Sequence, residues 1–338
     1  MALGIAAVVT LASSGQHAGA QQPADAQAQA VLAAARQALG GDAALAAVKS
    51  FSVSGSLKMN LGSQTLDQAL TIDCELPDKF LRERIIRSQG PGGVMEVTHR
   101  DGFNGSDLIR ETTRQDPLGL PPPPDINPPR TAEEAARARE RQVISNKQEL
   151  LKLALALLAA SIDSYPVQFT YGGQMPLEPG AVADVVEVKA ADGFTLRLFV
   201  DVITHLPAMI TWQQKPLVIA TQSSVVTVSR PAVVTVPRGG GAPPTTPPPP
   251  PMIPPPAPTL KPPPGGVVYS GVIPAGDPTA GLPLVEHQLS LGDYRTSDGL
   301  TWPHRLTDRV EGQVAEDVKL GKFRINPKIN PRTFKPSK

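Results

Sequence analysis

The sequence predicts an α+β protein built on a mainly antiparallel sheet, interrupted by two helical regions and two proline-rich inserts. Three observations carry this reading. Apolar and polar residues alternate through paired runs, as half-buried strands require. The links between those runs are too short for parallel crossovers, which need a dozen or more residues. Of the 38 prolines of the 338-residue chain, seven lie between Pro117 and Pro129 and fifteen between Pro237 and Pro264, leaving an otherwise ordinary globular composition.

The chain opens with "LGIAAVVTLASS", a short apolar run, followed by "AGAQQ", where Ala18 and Ala20 stand in the A-x-A positions of a signal-peptidase site. The expectation is a signal peptide over residues 1–20, cleaved after Ala20, and an exported protein, periplasmic or secreted. The run is shorter than the roughly 20 residues that a membrane-spanning helix needs. Residues 21–338 are then expected to form a single domain. "DAQAQAVLAAARQALGG" reads as an Ala-rich helix stopped at Gly40-Gly41, where glycine takes the left-handed cap.

Strands follow. "SFSVSGSLKMNL" places Phe51, Val53, Leu57 and Met59 on one side, and "TLDQALTIDCEL" does the same with Leu70, Ile72 and Cys74, with "GSQ" as the hairpin turn between them. Cys74, the sole cysteine, excludes a disulfide scaffold and is expected on the buried face as a small hydrophobe. "ADVVEVKA" and "FTLRLFVD" join at Asp192-Gly193, while "TWPHRLTDRV" and "VAEDVKLGKFRI" join near Glu311-Gly312.

Between the strands lies a proline-rich and helical insert over residues 111–165. Thr131 and Glu134 have the spacing of a capping box. The helix they start is charged in "EEAARARERQ" and apolar nearly all round in "LLKLALALLAA", from Leu150 to Ala160. At ~1.5 Å per residue that apolar part reaches about half of a bilayer's roughly 30 Å core, so protein must bury it, or it must cover an apolar surface. Ser145 and Asn146 are weak helix formers where the two halves meet, which predicts a break and a separate lid over Gln148 to Ala160.

Composition excludes several functions. The formal charge of +1, with both signs interspersed, offers no basic stripe for nucleic acid, and 4% aromatics offer no stacking platform. There is no G-x-S-x-G, S-x-x-K, H-E-x-x-H, Walker or G-x-G-x-x-G signature. His99, His205, His287 and His304 do not stand three or four residues from another His or Cys, so no local metal pair forms and no cofactor is expected. His205 and His304 each neighbour a proline and a tryptophan, but Pro207 and Pro303 read as strand starts or edges, so a catalytic pair is not expected. Asp101, Asp192 and Asp298 each precede a glycine and read as turn residues. The protein is therefore not expected to be an enzyme.

The order of signal peptide, N-terminal helix, antiparallel meander, helical stretch and further hairpins resembles the periplasmic lipoprotein carriers of the LolA/LolB type. The stretches that carry the resemblance are "ARQALGGDAALAAVKSFSVSGSL", "HRDGFNGSDLIRE", "DGFTLRLFVDVITHLPAMITW" and "DGLTWPHRLTDRVEGQVAEDVKL", with Asp201, Thr204 and Pro207 in a hairpin pattern of that family. It implies an antiparallel incomplete (half) β-barrel covered by helices, with lipid or a lipoprotein's acyl chain in the apolar cavity between. On this reading the wall includes Phe51, Val53, Leu57, Met59, Leu70, Ile72, Leu196, Leu198, Ile210 and Trp212, and the covering helix contributes Leu151, Leu155 and Leu158. A rival reading makes the sheet a scaffold of the cell envelope and the insert at 237–266, expected to be disordered, the working part. Its "TTPPPPPMIPPPAPTLKPPPGG" favours polyproline II, which docks partner proteins in aromatic-lined grooves.

Overall fold

The computed structural model describes residues 24–90, 93–115, 131–178, 180–221, 262–270 and 281–335. The expected signal peptide over 1–20, the proline stretch at 117–129 and most of the insert at 237–266 lie outside the described residues.

Helix α1 (Ala24–Leu39) and the short α2 (Asp42–Ala46) lead into β1 (Ser50–Leu61), β2 (Gln64–Glu75), β3 (Lys79–Gly90), β4 (Gly93–Asn104) and β5 (Asp107–Gln115). Helix α3 (Ala132–Leu158) precedes β6 (Val167–Glu178), β7 (Ala181–Ala190), β8 (Thr195–Asp201) and β9 (Pro207–Gln214). A parallel pair, β10 (Leu217–Thr221) and β11 (Gly266–Ser270), brackets the second proline-rich insert. The chain finishes with β12 (Val285–Ser297), β13 (Leu300–Val310), β14 (Gln313–Ile325) and a 3-10 turn, Pro331–Phe334.

Twelve strands form one antiparallel, unclosed sheet in the order β5-β4-β3-β2-β1-β14-β13-β12-β9-β8-β7-β6. The expected hairpins are present: β1 pairs with β2 from Ser50 opposite Glu75 to Leu61 opposite Gln64, and β13 turns into β14 at Glu311 and Gly312. The non-local step is the β1–β14 ladder, with Leu57 opposite Val318, which joins the first meander to the last. It bends at a register shift between Val53 and Gly55, where an added Cβ on Gly55 would lie 2.1 Å from the Lys319 carbonyl oxygen. Only glycine permits that approach.

The sheet curls around its helices. One apolar cluster includes Phe80 and Phe103 from β3 and β4, Leu32 and Leu39 from α1, Leu151 and Leu155 from α3, and Val186 and Val188 from β7. Strands near both edges thus share one core with the helices. On β3 the two faces separate cleanly, since Leu81 turns outward to pack with Ile109 and Phe334. Among the described residues no helix is long and apolar enough to cross a membrane.

Both halves of the capping box at Thr131 and Glu134 are formed. The expected break at Ser145 and Asn146 is not: α3 runs unbroken from Ala132 to Leu158. Asn146 is 3% exposed and donates from Nδ2 to the Gly102 carbonyl of β4 at 3.0 Å. A side chain satisfied by the sheet does not compete for its own helix backbone, so the local propensity has no effect. Leu150, Leu151 and Leu155 are fully buried, which makes this half of α3 a fixed core element rather than a lid. Gln148 and Tyr165 also meet Asp192 in the β7–β8 hairpin, the Tyr165 hydroxyl donating to its Oδ2 at 2.7 Å.

Three smaller expectations are also corrected. Residues 111–115 complete edge strand β5, so the insert starts after them. Asp101 lies within β4 and pairs with Arg84 at 3.0 Å, because Gly102 serves a close inter-strand approach to Phe80 rather than a turn. Pro303 lies inside β13, tolerated because β14 pairs with β13 only from Arg305 onward.

Replacing Asn146 with Ala is expected to cost about 1–3 kcal/mol, the usual range for a lost buried hydrogen bond. Urea unfolding should show a lower midpoint with an unchanged slope. An unshifted midpoint would mean that α3 is held by its apolar face alone.

Candidate functional site

A cavity of about 250 Å³ remains between α3 and the inner face of the sheet. Its apolar wall comes from Leu57 of β1, Leu70 and Ile72 of β2, Phe80 of β3, Leu289 of β12, Leu306 of β13 and Val318 of β14, with Leu153 of α3. Of the residues expected from sequence to form the wall, Leu57, Leu70, Ile72 and Trp212 line this space. Phe51, Val53, Leu196, Leu198 and Ile210 lie in the packed core, where Leu151, Leu155 and Leu158 meet the sheet. Met59 is half-buried, with Gln68 Nε2 at 3.9 Å from its Sδ.

The rest of the lining is polar: Arg82, Glu149, Lys152, Gln214, His287, Asp308 and Glu316. Sequence reasoning did not select these residues. Lys152 is only 6% exposed, and its ammonium donates to Glu149 Oε1 at 2.6 Å and lies 3.8 Å from the Trp212 ring centroid. The His287 ring stacks on the same indole at 4.8 Å, and its Nδ1 contacts Asp308 Oδ2 at 2.8 Å. Arg82 approaches Glu149 Oε2 at 3.7 Å. Burial works against the Glu149 carboxylate, but the Lys152 and Arg82 charges and the Lys152 hydrogen bond together hold it below the usual carboxylate range.

No protein-family model and no curated protein matches the sequence. Several solved structures are similar to it, among them the following three. A Vibrio parahaemolyticus domain named for outer-membrane lipoprotein sorting is 9% identical at a TM-score of 0.40. A DUF1329 family protein from Desulfovibrio piger is 8% identical at 0.41, and a LolA superfamily protein from Nitrosomonas europaea is 9% identical at 0.40. Each match covers 91% of this chain and 97% of the other. At these scores the likeness adds nothing to what the sheet order and the covering helices establish.

The remaining candidates have structural roles. His205 is exposed in the β8–β9 turn at a φ of 55°. That turn is built by Asp201, whose Oδ1 accepts from the Ile203 and Thr204 backbones and the Thr204 hydroxyl, holding its carboxyl below the usual range. His304 is buried and donates from Nδ1 to the Leu320 carbonyl at 3.0 Å. The two histidines therefore form no pair. Cys74 is fully buried, and burial, reinforced by Glu75 and Asp73, pushes its thiol far up, so it is inert. Among the described residues no cluster of His, Cys, Asp and Glu could hold a metal ion.

Lys152→Met tests the helix-borne ion pair. A carboxyl held low in the folded state stabilises the protein above its unfolded value and loses that contribution as pH falls through the folded value. The wild type should therefore have a higher urea midpoint than Lys152→Met at pH 7, and the gap should narrow as pH drops below about 4, near the usual carboxylate range. A gap that stays constant with pH would show that Lys152 does not act through Glu149.

Proposed function

We propose that this protein is an exported, non-catalytic binder of amphiphiles that takes an acyl chain into the cavity between α3 and the inner face of the sheet. The observation that carries the reading is the cavity itself, walled by apolar side chains from six strands, β1 to β3 and β12 to β14, and from α3. Each ligand methylene buried there contributes roughly 0.8 kcal/mol. At about 250 Å³ the space is slightly smaller than the roughly 300–1,000 Å³ of typical small-molecule sites, which suits one short chain or the end of a longer one. The apolar leader before Ala20 and the sequence resemblance to periplasmic lipoprotein carriers support the compartment and the ligand class, lipid or a lipoprotein's acyl chain.

Hydrolysis is the less favoured chemistry. His287 and Asp308 form a hydrogen-bonded pair, but no Ser, Thr or Cys lies among the described lining residues for that pair to activate.

Protein purified without detergent should take up a fluorescent fatty acid. Leu153→Trp, at a half-buried position facing the cavity, should reduce that uptake about tenfold or more, a loss of roughly 1.4 kcal/mol of binding. Its melting temperature should stay close to that of the wild type. Uptake by the variant equal to the wild type would move the ligand elsewhere, and no uptake by the wild type would end the proposal.

A further inference from the structure

The polar end of the cavity has more acceptors than donors to meet them. The two lining cations, Lys152 and Arg82, both turn to Glu149, at 2.6 Å and 3.7 Å. Asp308 receives His287 on Oδ2 only. Its Oδ1 is sealed from solvent and has no hydrogen-bond partner among the described residues. Glu316 faces the same space with neither a hydrogen bond nor an ion pair among the described residues. In the next row of the sheet Gln68, 4% exposed, leaves Oε1 equally unpartnered.

Asp308 and Glu316 are also direct cross-strand partners, with a β-bulge between Asp308 and Arg309 immediately beside them. Side chains so placed have Cβ atoms about 4.5–5.5 Å apart, and like charges there repel. Two carboxyls held together at the edge of an apolar cavity need a cation or a proton between them. Apart from His287, the lining sets two cations, Lys152 and Arg82, against three carboxyls.

We infer that this end of the cavity receives a cationic, hydrogen-bond-donating head, so that the amphiphile taken up is one whose chain ends in a primary ammonium group. The inference rests on the chain-binding reading above and names the head that the chain would carry. The ammonium would sit between the Asp308 and Glu316 carboxyls, a small side-chain shift uncovering Asp308 Oδ1, and the chain would lie along Leu57, Leu306 and Val318. A bare metal ion would leave that wall empty. Without a bound cation, a proton on Glu316 would meet the same need. Burial, opposed by Arg82 and reinforced by Asp308 and Glu149, pushes the Glu316 carboxyl above its ordinary range, with Arg84 pulling back. A carboxyl raised in this way holds a proton to higher pH than an ordinary one, so a cation at Glu316 competes with that proton and amine binding weakens as pH falls. Around Glu316 the groups from each packed element are Met59 of β1, Asp308 of β13, Arg82 and Arg84 of β3, Glu149 and Lys152 of α3, and His287 of β12.

Calorimetric titration of the whole chain with dodecylamine, dodecanol and dodecanoate, each below its micellar concentration, tests this. The amine should bind at least about tenfold more tightly than the other two, and its affinity should fall as the pH is lowered towards the ordinary carboxylate range. In Glu316→Gln and in Asp308→Asn the ratio of amine to alcohol affinity should collapse towards one, and Glu316→Gln should flatten the pH dependence although His287 is retained. Equal binding of all three, or tightest binding of dodecanoate, overturns the cationic head and leaves chain binding standing. If none of the three binds, the chain-binding reading fails and the inference fails with it.

Discussion

The β1–β14 ladder joins two meanders into one twelve-stranded sheet, and the trough that results is wider than its two long helices can fill. Every apolar side chain on the inner face must find a partner or remain beside empty space, since dispersion contacts are lost wherever a neighbour is missing. Near α1 and the C-terminal half of α3 the partners exist, and Phe51, Leu198, Ile210 and Leu155 are sealed. Around Lys152 of α3 they do not, and Leu153 of α3, Leu289 of β12 and Val318 of β14 stay only partly buried. The cavity is thus a consequence of sheet width and helix number.

The same geometry explains why charges are tolerated inside. A lysine buried within an apolar helix would be costly alone, because desolvation of an ion is only offset by well-placed partners. Lys152 has two, the Glu149 carboxylate and the face of Trp212, and Trp212 in turn stacks on His287. These contacts link α3 to β9 and β12 at the point where apolar packing runs out. Ionic contacts therefore hold the helix over the open end of the trough, while Asn146 fastens its middle to β4.

Much of this was legible in strand alternation. Leu306, Asp308 and Val310 share a phase on β13, and so do Glu316, Val318 and Leu320 on β14, which places both carboxyls inward from sequence alone. Likewise Arg82 and Arg84 share the inward phase of Phe80 on β3. Lys152 was visible as one cation in an otherwise apolar run. What alternation does not contain is which strands meet. The β1–β14 and β9–β12 ladders join segments far apart in the chain, so the meeting of Asp308, Glu316 and His287 was hidden. Nor does an all-apolar helix show which face looks into a gap: Leu151, Leu155 and Leu158 pack in the core, while Leu153 lines the cavity. Asn146 misled because propensity describes an isolated helix, and here a strand carbonyl supplies the partner that the rule assumes is missing.

A fixed α3 also constrains how a ligand enters. If the C-terminal half of the helix swung away, Leu150, Leu151 and Leu155 would lose their contacts together. At roughly 1.5–3 kcal/mol for each buried leucine, that opening would consume a large part of the 5–15 kcal/mol that stabilises an ordinary domain. Movement of a few side chains at the polar end costs far less. Gln214 is exposed there, and Glu316 is only half-buried. On the proposed reading an amphiphile would enter by that end tail first, its chain moving from water to the apolar wall while its head stopped at the carboxyls. The polar residues at the opening would then act as a stop for the head, and a ligand without a head group would have nothing to hold it at that depth.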